Sequence, residues 1–172
     1  MSFSIEQLSS EALPAALPDL VRLLQDAVDG GASVGFLPPL SMDEATSYWE
    51  SVLASVQGGG RVLLVARQGG AVVGSVQLAL EQRPNGRHRA EVQKLLVHRA
   101  ARRQGIARAL MAAIEDTARQ HDRSLLVLDT LRGDAAEQLY RQIGYVEAGE
   151  IPQYARGADG ALHATVVFYR MV

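Results

Sequence analysis

The sequence predicts a single α+β domain, a mixed β-sheet with helices on its faces. Three observations carry that prediction. The chain has 172 residues, 48% of them hydrophobic, enough for one core that buries about 70% of the surface of the unfolded chain. Two β-rich runs, 61–67 and 71–80, flank Gln68-Gly69-Gly70 and form a hairpin. Later in the chain, strand and helix patterns alternate, which adds strand–helix–strand units to the same sheet.

Taken in order, Phe3 and Ile5 alternate with polar neighbours and start a short strand. Leu17, Leu20, Val21, Leu24 and Val28 recur at helical spacing, and Gly30-Gly31 supplies a left-handed stop. The loop over 32–40 contains Pro38-Pro39 and cannot prolong that helix. Ser41 and Glu44 make a capping box for a second helix, whose apolar stripe is Ala45, Tyr48, Trp49, Val52, Leu53 and Val56. Gly58-Gly59-Gly60 ends it. After the hairpin, Pro84-Asn85-Gly86 turns the chain into a third β-run over 90–97. Ile106, Leu110, Ala113, Ile114, Thr117 and Ala118 define a long amphipathic helix. A strand over 125–128, a helix over 134–143 and strands near 145–151 and 162–171 complete the order β-α-α-β-β-β-α-β-α-β-β. One domain accordingly spans 1–172.

Composition excludes several classes. Without cysteine there is no disulfide scaffold, zinc–thiolate site, iron–sulfur cluster or thiol nucleophile. Acyl chemistry must then borrow a thiol, use a hydroxyl or transfer the group directly. A net charge of −2 gives no overall field for nucleic acid. The longest apolar run is far short of the ~20 residues that span a bilayer, and the N-terminus lacks a signal-peptide layout. A soluble, cytoplasmic protein is expected, with no nucleic-acid or membrane partner. His88, His98, His121 and His163 show no ligand spacing, so no metal is assigned.

The most informative stretch is Leu95-Leu96-Val97, followed by a basic turn and Arg102-Arg103-Gln104-Gly105-Ile106-Ala107-Arg108. A helix start leaves backbone N–H groups unpaired at the positive end of the dipole. Small residues there admit a phosphate, and arginines add charge. Arg99, Arg102, Arg103 and Arg108 crowd a helix end that repels cations, a conflict an arriving anion removes. The plainer reading makes Gly105 and Ala107 small for helix–sheet packing. No Gly-Lys-Ser/Thr follows, so this is not a P-loop, and a dinucleotide fingerprint is also missing.

Arg102-x-x-Gly105-x-Ala107 after a Leu-x-Val strand resembles the acetyl-CoA signature of the GCN5-related N-acetyltransferases (GNAT). Ala136, Leu139-Tyr140 and Ile143-Gly144-Tyr145 resemble that family's second motif. The resemblance implies a GNAT-like mixed, mostly antiparallel central β-sheet with helices on both faces, and acetyl-CoA as co-substrate. Leu95, Leu96 and Val97 would hold the acetyl and pantetheine parts by their backbone. Arg102, Arg103, Gln104, Gly105, Ile106, Ala107 and Arg108 would cradle the pyrophosphate, with Tyr140 nearby. Gly30-Gly31-Ala32-Ser33-Val34-Gly35-Phe36, Arg89-Ala90-Glu91-Val92-Gln93-Lys94-Leu95 after Pro84-Asn85-Gly86, and Leu128-Asp129-Thr130 resemble the tabtoxin-resistance branch, which acetylates a β-lactam amino acid. One departure is Gly133, where many members carry asparagine seven residues before the motif tyrosine; Asp134 or Thr130 is the expected stand-in. Ala107 replaces the commoner glycine.

Acetylating an amine requires removing its proton and protonating the departing thiolate, each step helped roughly 10²–10⁴-fold by a positioned group. Alternation puts Glu91, Gln93, Leu95 and Val97 on one strand face, which would hold Glu91 away from full solvation. Asp129 follows an apolar strand and would meet a cleft at its carboxyl end. In the tabtoxin-like reading, these two carboxylates attract the amine and take its proton. Against that, Glu91 can pair with Lys94 or Arg89, and Asp129 can serve a turn. Tyr140 can protonate the leaving thiolate or pack in the core with its hydroxyl on backbone. Ser33 and Phe36 belong to a glycine-rich loop on the substrate side, or to a mere connection. Gly31-x-Ser33-x-Gly35 also fits a hydrolase nucleophile elbow, but a helix precedes it and prolines follow, so the required strand-to-helix turn is missing. Trp49 is expected in the core.

The expected function is transfer of an acetyl group from acetyl-CoA to the amine (or hydroxyl) of a small amino compound, with a tabtoxinine-like β-lactam or other toxic amino acid as leading acceptor. A protein amine, a polyamine or an aminoglycoside are the other acceptors. From another class, the alternative is a non-catalytic acyl-CoA-binding sensor. A monomer or a homodimer is compatible with the sequence.

Overall fold

Neighbouring strands in the sheet follow chain order until the last two exchange places. A computed structural model describes residues 2–172. It contains β1 (Ser4–Gln7), α1 (Leu13–Asp29), α2 (Met42–Gln57), β2 (Arg61–Gln68), β3 (Ala71–Leu80), β4 (Arg89–Val97), α3 (Ile106–Gln120), β5 (Leu125–Leu131), α4 (Ala135–Gln142), β6 (Val146–Arg156) and β7 (Leu162–Met171). The sheet runs β1-β2-β3-β4-β5-β7-β6. Every pairing is antiparallel except β4 with β5. The expected element order and mixed sheet are therefore present.

Period-2 alternation divides the core in two. Val62, Leu64 and Ala66 of β2 face α3, together with Leu110, Ile114, Tyr140 and Phe168. Leu63 and Val65 face α1 and α2, where Leu20, Leu24, Trp49 and Val52 are buried. Trp49 is fully buried and donates its indole N–H to the Leu20 carbonyl at 2.9 Å. The helix signals behave as expected: Ser41 Oγ accepts the Glu44 N–H, Glu44 returns to the Ser41 N–H, and Gly31 after α1 has φ 85°.

Two departures matter for function. β5 runs to Leu131 instead of stopping at 128, because the backbones of Asp129 and Thr130 pair with Val167 and Val166 of β7. The ladder overrides the polar composition that ended the expected strand. β6 likewise extends to Arg156, an arm paired with β7 through Arg156 and Leu162.

β4 carries the second departure. Gln77 of β3 faces Gln93, but Ser75 faces Leu96, so β4 has one extra residue, and Lys94 takes φ 51°. This bulge switches the faces of the strand. Ala90 and Val92 pack toward α3, whereas Leu96 packs toward α1 and α2. The parallel ladder joins only 89–91 to 125–127, and beyond it the two strands part.

Candidate active site

The parting of β4 and β5 opens a cleft through the sheet. A cavity of about 350 Å³ there is lined by Glu91, Lys94 and Leu95 of β4, and by Asp129 and Thr130 of β5. Tyr140 of α4, Thr165 of β7, Tyr154 of β6, and Ser33 and Gly35 of the α1–α2 loop complete its walls. Residues far apart in sequence thus meet at one opening.

The expectation that Glu91 shares a face with Leu95 and Val97 fails because of the bulge. Leu95 and Val97 lean on the α3-side core, while Glu91 is exposed. The partial desolvation expected from apolar companions is absent. Neither suggested partner holds Glu91: Arg89 pairs with Glu81 at 2.9 Å, and Lys94 forms no ion pair among the described residues. Asp129 is also exposed and accepts a hydrogen bond from Thr165 Oγ1 at 2.8 Å. It stands two residues before the end of β5, with its side chain at the cleft.

Tyr140 is buried against Tyr145 and Phe168, with ring centroids 5.8 and 6.1 Å away. Among the described residues no group hydrogen-bonds its hydroxyl, so the backbone-tied packing role is not the one found. Burial, followed by the nearby charges of Asp134 and Asp129, pushes its phenol above the usual range and keeps it protonated.

Gly133 has φ 84° and donates its N–H to Glu137 Oε2 at 2.6 Å. Glu137, 8% exposed, also accepts from Arg132 and Arg141, each at 2.8 Å. The Arg141 and Gly133 bonds, with Arg132, hold its carboxyl at about 2. Glu137 therefore closes the β5–α4 turn, in place of the expected Thr130 or Asp134. Asp134 instead caps α4 through the Ala135 N–H at 2.6 Å.

At the start of α3 lies a separate hollow of about 220 Å³, lined by Val97, Arg102, Arg103, Gly105, Ile106, Ala107, Arg108 and Leu139. Among the described residues, no backbone N–H from 103 to 108 finds an acceptor within the chain. Gly105 has φ 83°, and a Cβ there would meet nothing within 4 Å. Helix–sheet packing therefore does not explain this glycine; left-handed backbone and open approach do. Arg102 donates to the Val97 carbonyl at 3.1 Å and Arg108 to Gln142 at 3.2 Å. These arginines and Arg103 lack a carboxylate partner among the described residues.

Arg99 departs from the expected cluster. It pairs with Asp26 of α1 at 2.8 Å. Burial opposes that carboxylate, but the Arg99 side chain and N–H still hold Asp26 below its usual range. Three cations, not four, face the start of α3. Leu96 contributes backbone only, since its side chain is buried among α1 and α2 residues. Gln104 bonds Gln68 at 2.9 Å. Phe36 lies outside the main cavity, edge-on to Tyr48 at 5.4 Å; with Ser33 it lines two adjoining hollows of about 290 and 460 Å³.

An anion-accepting helix start, a gap between parallel strands and unpaired carboxylates beyond it match the parts of acetyl-CoA in order: pyrophosphate, pantetheine, thioester. The residues fit the co-substrate on those grounds. Among the described residues no group of three or more His, Cys, Asp or Glu is placed to hold a metal, and no helix is long and apolar enough to cross a membrane.

Sequence reasoning missed Glu137, Thr165 and the placement of Lys94. An interrupting lysine within a β-run was the available signal for the bulge; the other two depend on contacts between elements.

The sequence pattern of the Acetyltransferase (GNAT) family matches residues 22–145. A relative from Azospirillum brasilense, an uncharacterized N-acetyltransferase in the hisH-hisA intergenic region, is 35% identical over 115 residues, covering 66% of this chain and 67% of its own length. An N-acetyltransferase structure from Staphylococcus aureus Mu50 superposes with a TM-score of 0.81 at 18% identity, covering 99% of each chain. A Salmonella typhimurium protein solved with its cofactor acetyl-CoA gives 0.77 at 20% identity, covering 99% of this chain and 94% of that one. The fold is shared with both solved structures, and the family pattern takes in both the turn before α3 and the Tyr140 helix. The chain belongs to the GNAT family and is an acetyl-CoA-dependent N-acetyltransferase.

Proposed function

We propose that the protein acetylates the amine of a small amino compound by direct transfer, with a tabtoxinine-like β-lactam or another toxic amino acid as the leading acceptor class. The observation that carries this reading is the pair Glu91 and Asp129. Both residues line the cavity where β4 and β5 part, and among the described residues no cation forms an ion pair with either carboxylate. Two unpaired carboxylates at the reacting end suit an ammonium.

Residues 103–108 would hold the pyrophosphate through their N–H groups, aided by Arg102, Arg103 and Arg108, and the backbone of Leu95 and Val97 would border the pantetheine arm. Acetyl-CoA supplies the thioester carbonyl that the amine attacks. Glu91 and Asp129 attract the ammonium and accept its proton, which frees the nitrogen lone pair to form the new C–N bond. Thr165 fixes one Asp129 oxygen and leaves the carboxylate oriented. Tyr140, which lines the cavity, would stand beside the thioester sulfur as the C–S bond breaks, and the thiolate would take up the second proton that the attacking nitrogen releases. The retained phenol proton makes Tyr140 a hydrogen-bond donor to the departing thiolate. Ser33 and the loop around it close the acceptor side. Acceptance of a toxic amino acid would make this a resistance enzyme acting in the cytoplasm.

The test is a panel of small amines with acetyl-CoA, read by released thiol. Turnover of a small amino compound supports the proposal. Turnover confined to peptide or protein amines overturns it in favour of a macromolecular acceptor. Binding of acetyl-CoA without turnover of any amine overturns it in favour of a sensor domain.

A further inference from the structure

The acceptor side of the cleft contains one cation that the chemistry above leaves unused. Lys94 is the extra residue of the β4 bulge. The bulge turns its side chain toward α2 and the α1–α2 loop. Its ammonium lies 5.6 Å from the Tyr48 ring centroid, and a Cβ on Gly35 would sit 3.8 Å from Nζ. Lys94 lines the same cavity as Glu91 and Asp129.

Its surroundings offer no counter-ion at contact distance. Tyr48 and Gln77 hydrogen-bond each other at 3.0 and 3.2 Å, and Arg61 donates to Gln77. None of these three side chains offers the ammonium an anion, and Lys94 lines the cavity. Burial first, then repulsion from Arg61, holds Lys94 below the usual lysine range against the more distant pull of Asp129 and Glu91. A half-buried ammonium without a contacting anion is unfavourable. A ligand anion removes that cost.

We propose that Lys94 docks a carboxylate of the acceptor, so that the acceptor is a zwitterion: an amino acid with its ammonium at Glu91 and Asp129 and its carboxylate at Lys94. This rests on the small-amine reading above and narrows it. Polyamines and aminoglycosides carry several positive charges and no anion, so Lys94 and Arg61 repel them. A lysine side chain within a protein has no free carboxylate beside its amine.

The test pairs free amino acids with their carboxamides, includes spermidine, and measures KM and kcat by thiol release. The wild-type protein is expected to have a KM roughly 10-fold or more lower for the free acid than for its carboxamide, as a charge-assisted hydrogen bond provides. Lys94→Asn removes the charge while retaining a residue type that accepts left-handed backbone. It should raise KM for the free acid toward that of the carboxamide, whereas Lys94→Arg should preserve the preference. Equal KM values in the wild type, a preference that survives Lys94→Asn, or spermidine as the best acceptor each overturn the assignment while leaving amine transfer in place. Acetyl-CoA binding without turnover of any panel member overturns the small-amine reading, and this inference falls with it.

Discussion

The two ends of the proposed site are built by different means. The end proposed for the cofactor is mainly backbone: unpaired N–H groups at the start of α3 and a left-handed Gly105, with three arginines, all contributed by seven consecutive residues. The end proposed for the acceptor is side chain: Glu91, Lys94, Asp129 and Thr165 arrive from three strands, beside a loop between two helices. Backbone amides recognise a phosphate whatever the acceptor is, so this end can serve any reaction that uses the same co-substrate. Side chains on separate strands can be exchanged one at a time, so in the proposed reading specificity would reside with them.

The largest effect separating the ends is expected from Asp129→Asn or Glu91→Gln. Each should lower kcat by roughly 10²-fold or more, the usual contribution of a positioned base, with little change in acetyl-CoA affinity. Steady-state rates beside calorimetric titration of acetyl-CoA check this. Charge reversal at Arg102 and Arg103 should do the converse, weakening acetyl-CoA binding roughly 10-fold at low salt and less at high salt. Titrations at two ionic strengths read that slope; an unchanged affinity would remove these arginines from the pyrophosphate site. Tyr140→Phe should reduce kcat by roughly 10-fold and leave both affinities near their original values, because only a hydrogen bond to the departing sulfur is lost.

The smallest effects concern the turn supporting both ends. Gly133→Ala places a side chain at φ 84° and should cost about 1–2 kcal/mol in denaturant unfolding. Glu137 is held at about 2, below the value near 4.3 of an unfolded chain. Its contribution to stability is complete above that unfolded value and disappears as pH falls from about 5 toward 2. Glu137→Gln should flatten that part of the acid-unfolding profile; an unaltered profile would show that the carboxylate does not tie the turn.

The same contrast governs how much of the molecule was legible in its sequence. The fold follows from local signals: the Ser41–Glu44 capping box, Gly31 after α1 and the Gln68-Gly69-Gly70 turn all perform as their residue types dictate. The turn before α3 is legible because Arg102, Gly105 and Ala107 are spaced within one loop, and the open helix start lies where that spacing puts it. Glu91 and Asp129 line one cavity, but Glu91 lies on the other face from the one expected, because period-2 alternation has no means of anticipating the extra residue at Lys94. Arg99 was grouped with the other arginines because its partner, Asp26, lies 73 residues earlier. Glu137 was invisible for a related reason: its role depends on Gly133 adopting a positive φ and on two arginines folding over it.

The division of labour between the two ends is tested most directly on one protein, the double variant Glu91→Gln/Asp129→Asn. Acetyl-CoA affinity by calorimetry and acetyl transfer by thiol release should be measured on the same sample. The account predicts affinity within about twofold of wild type and transfer reduced by roughly 10²–10⁴-fold. Transfer at the wild-type rate would contradict it, and so would a loss of acetyl-CoA binding that accounts for the lost activity.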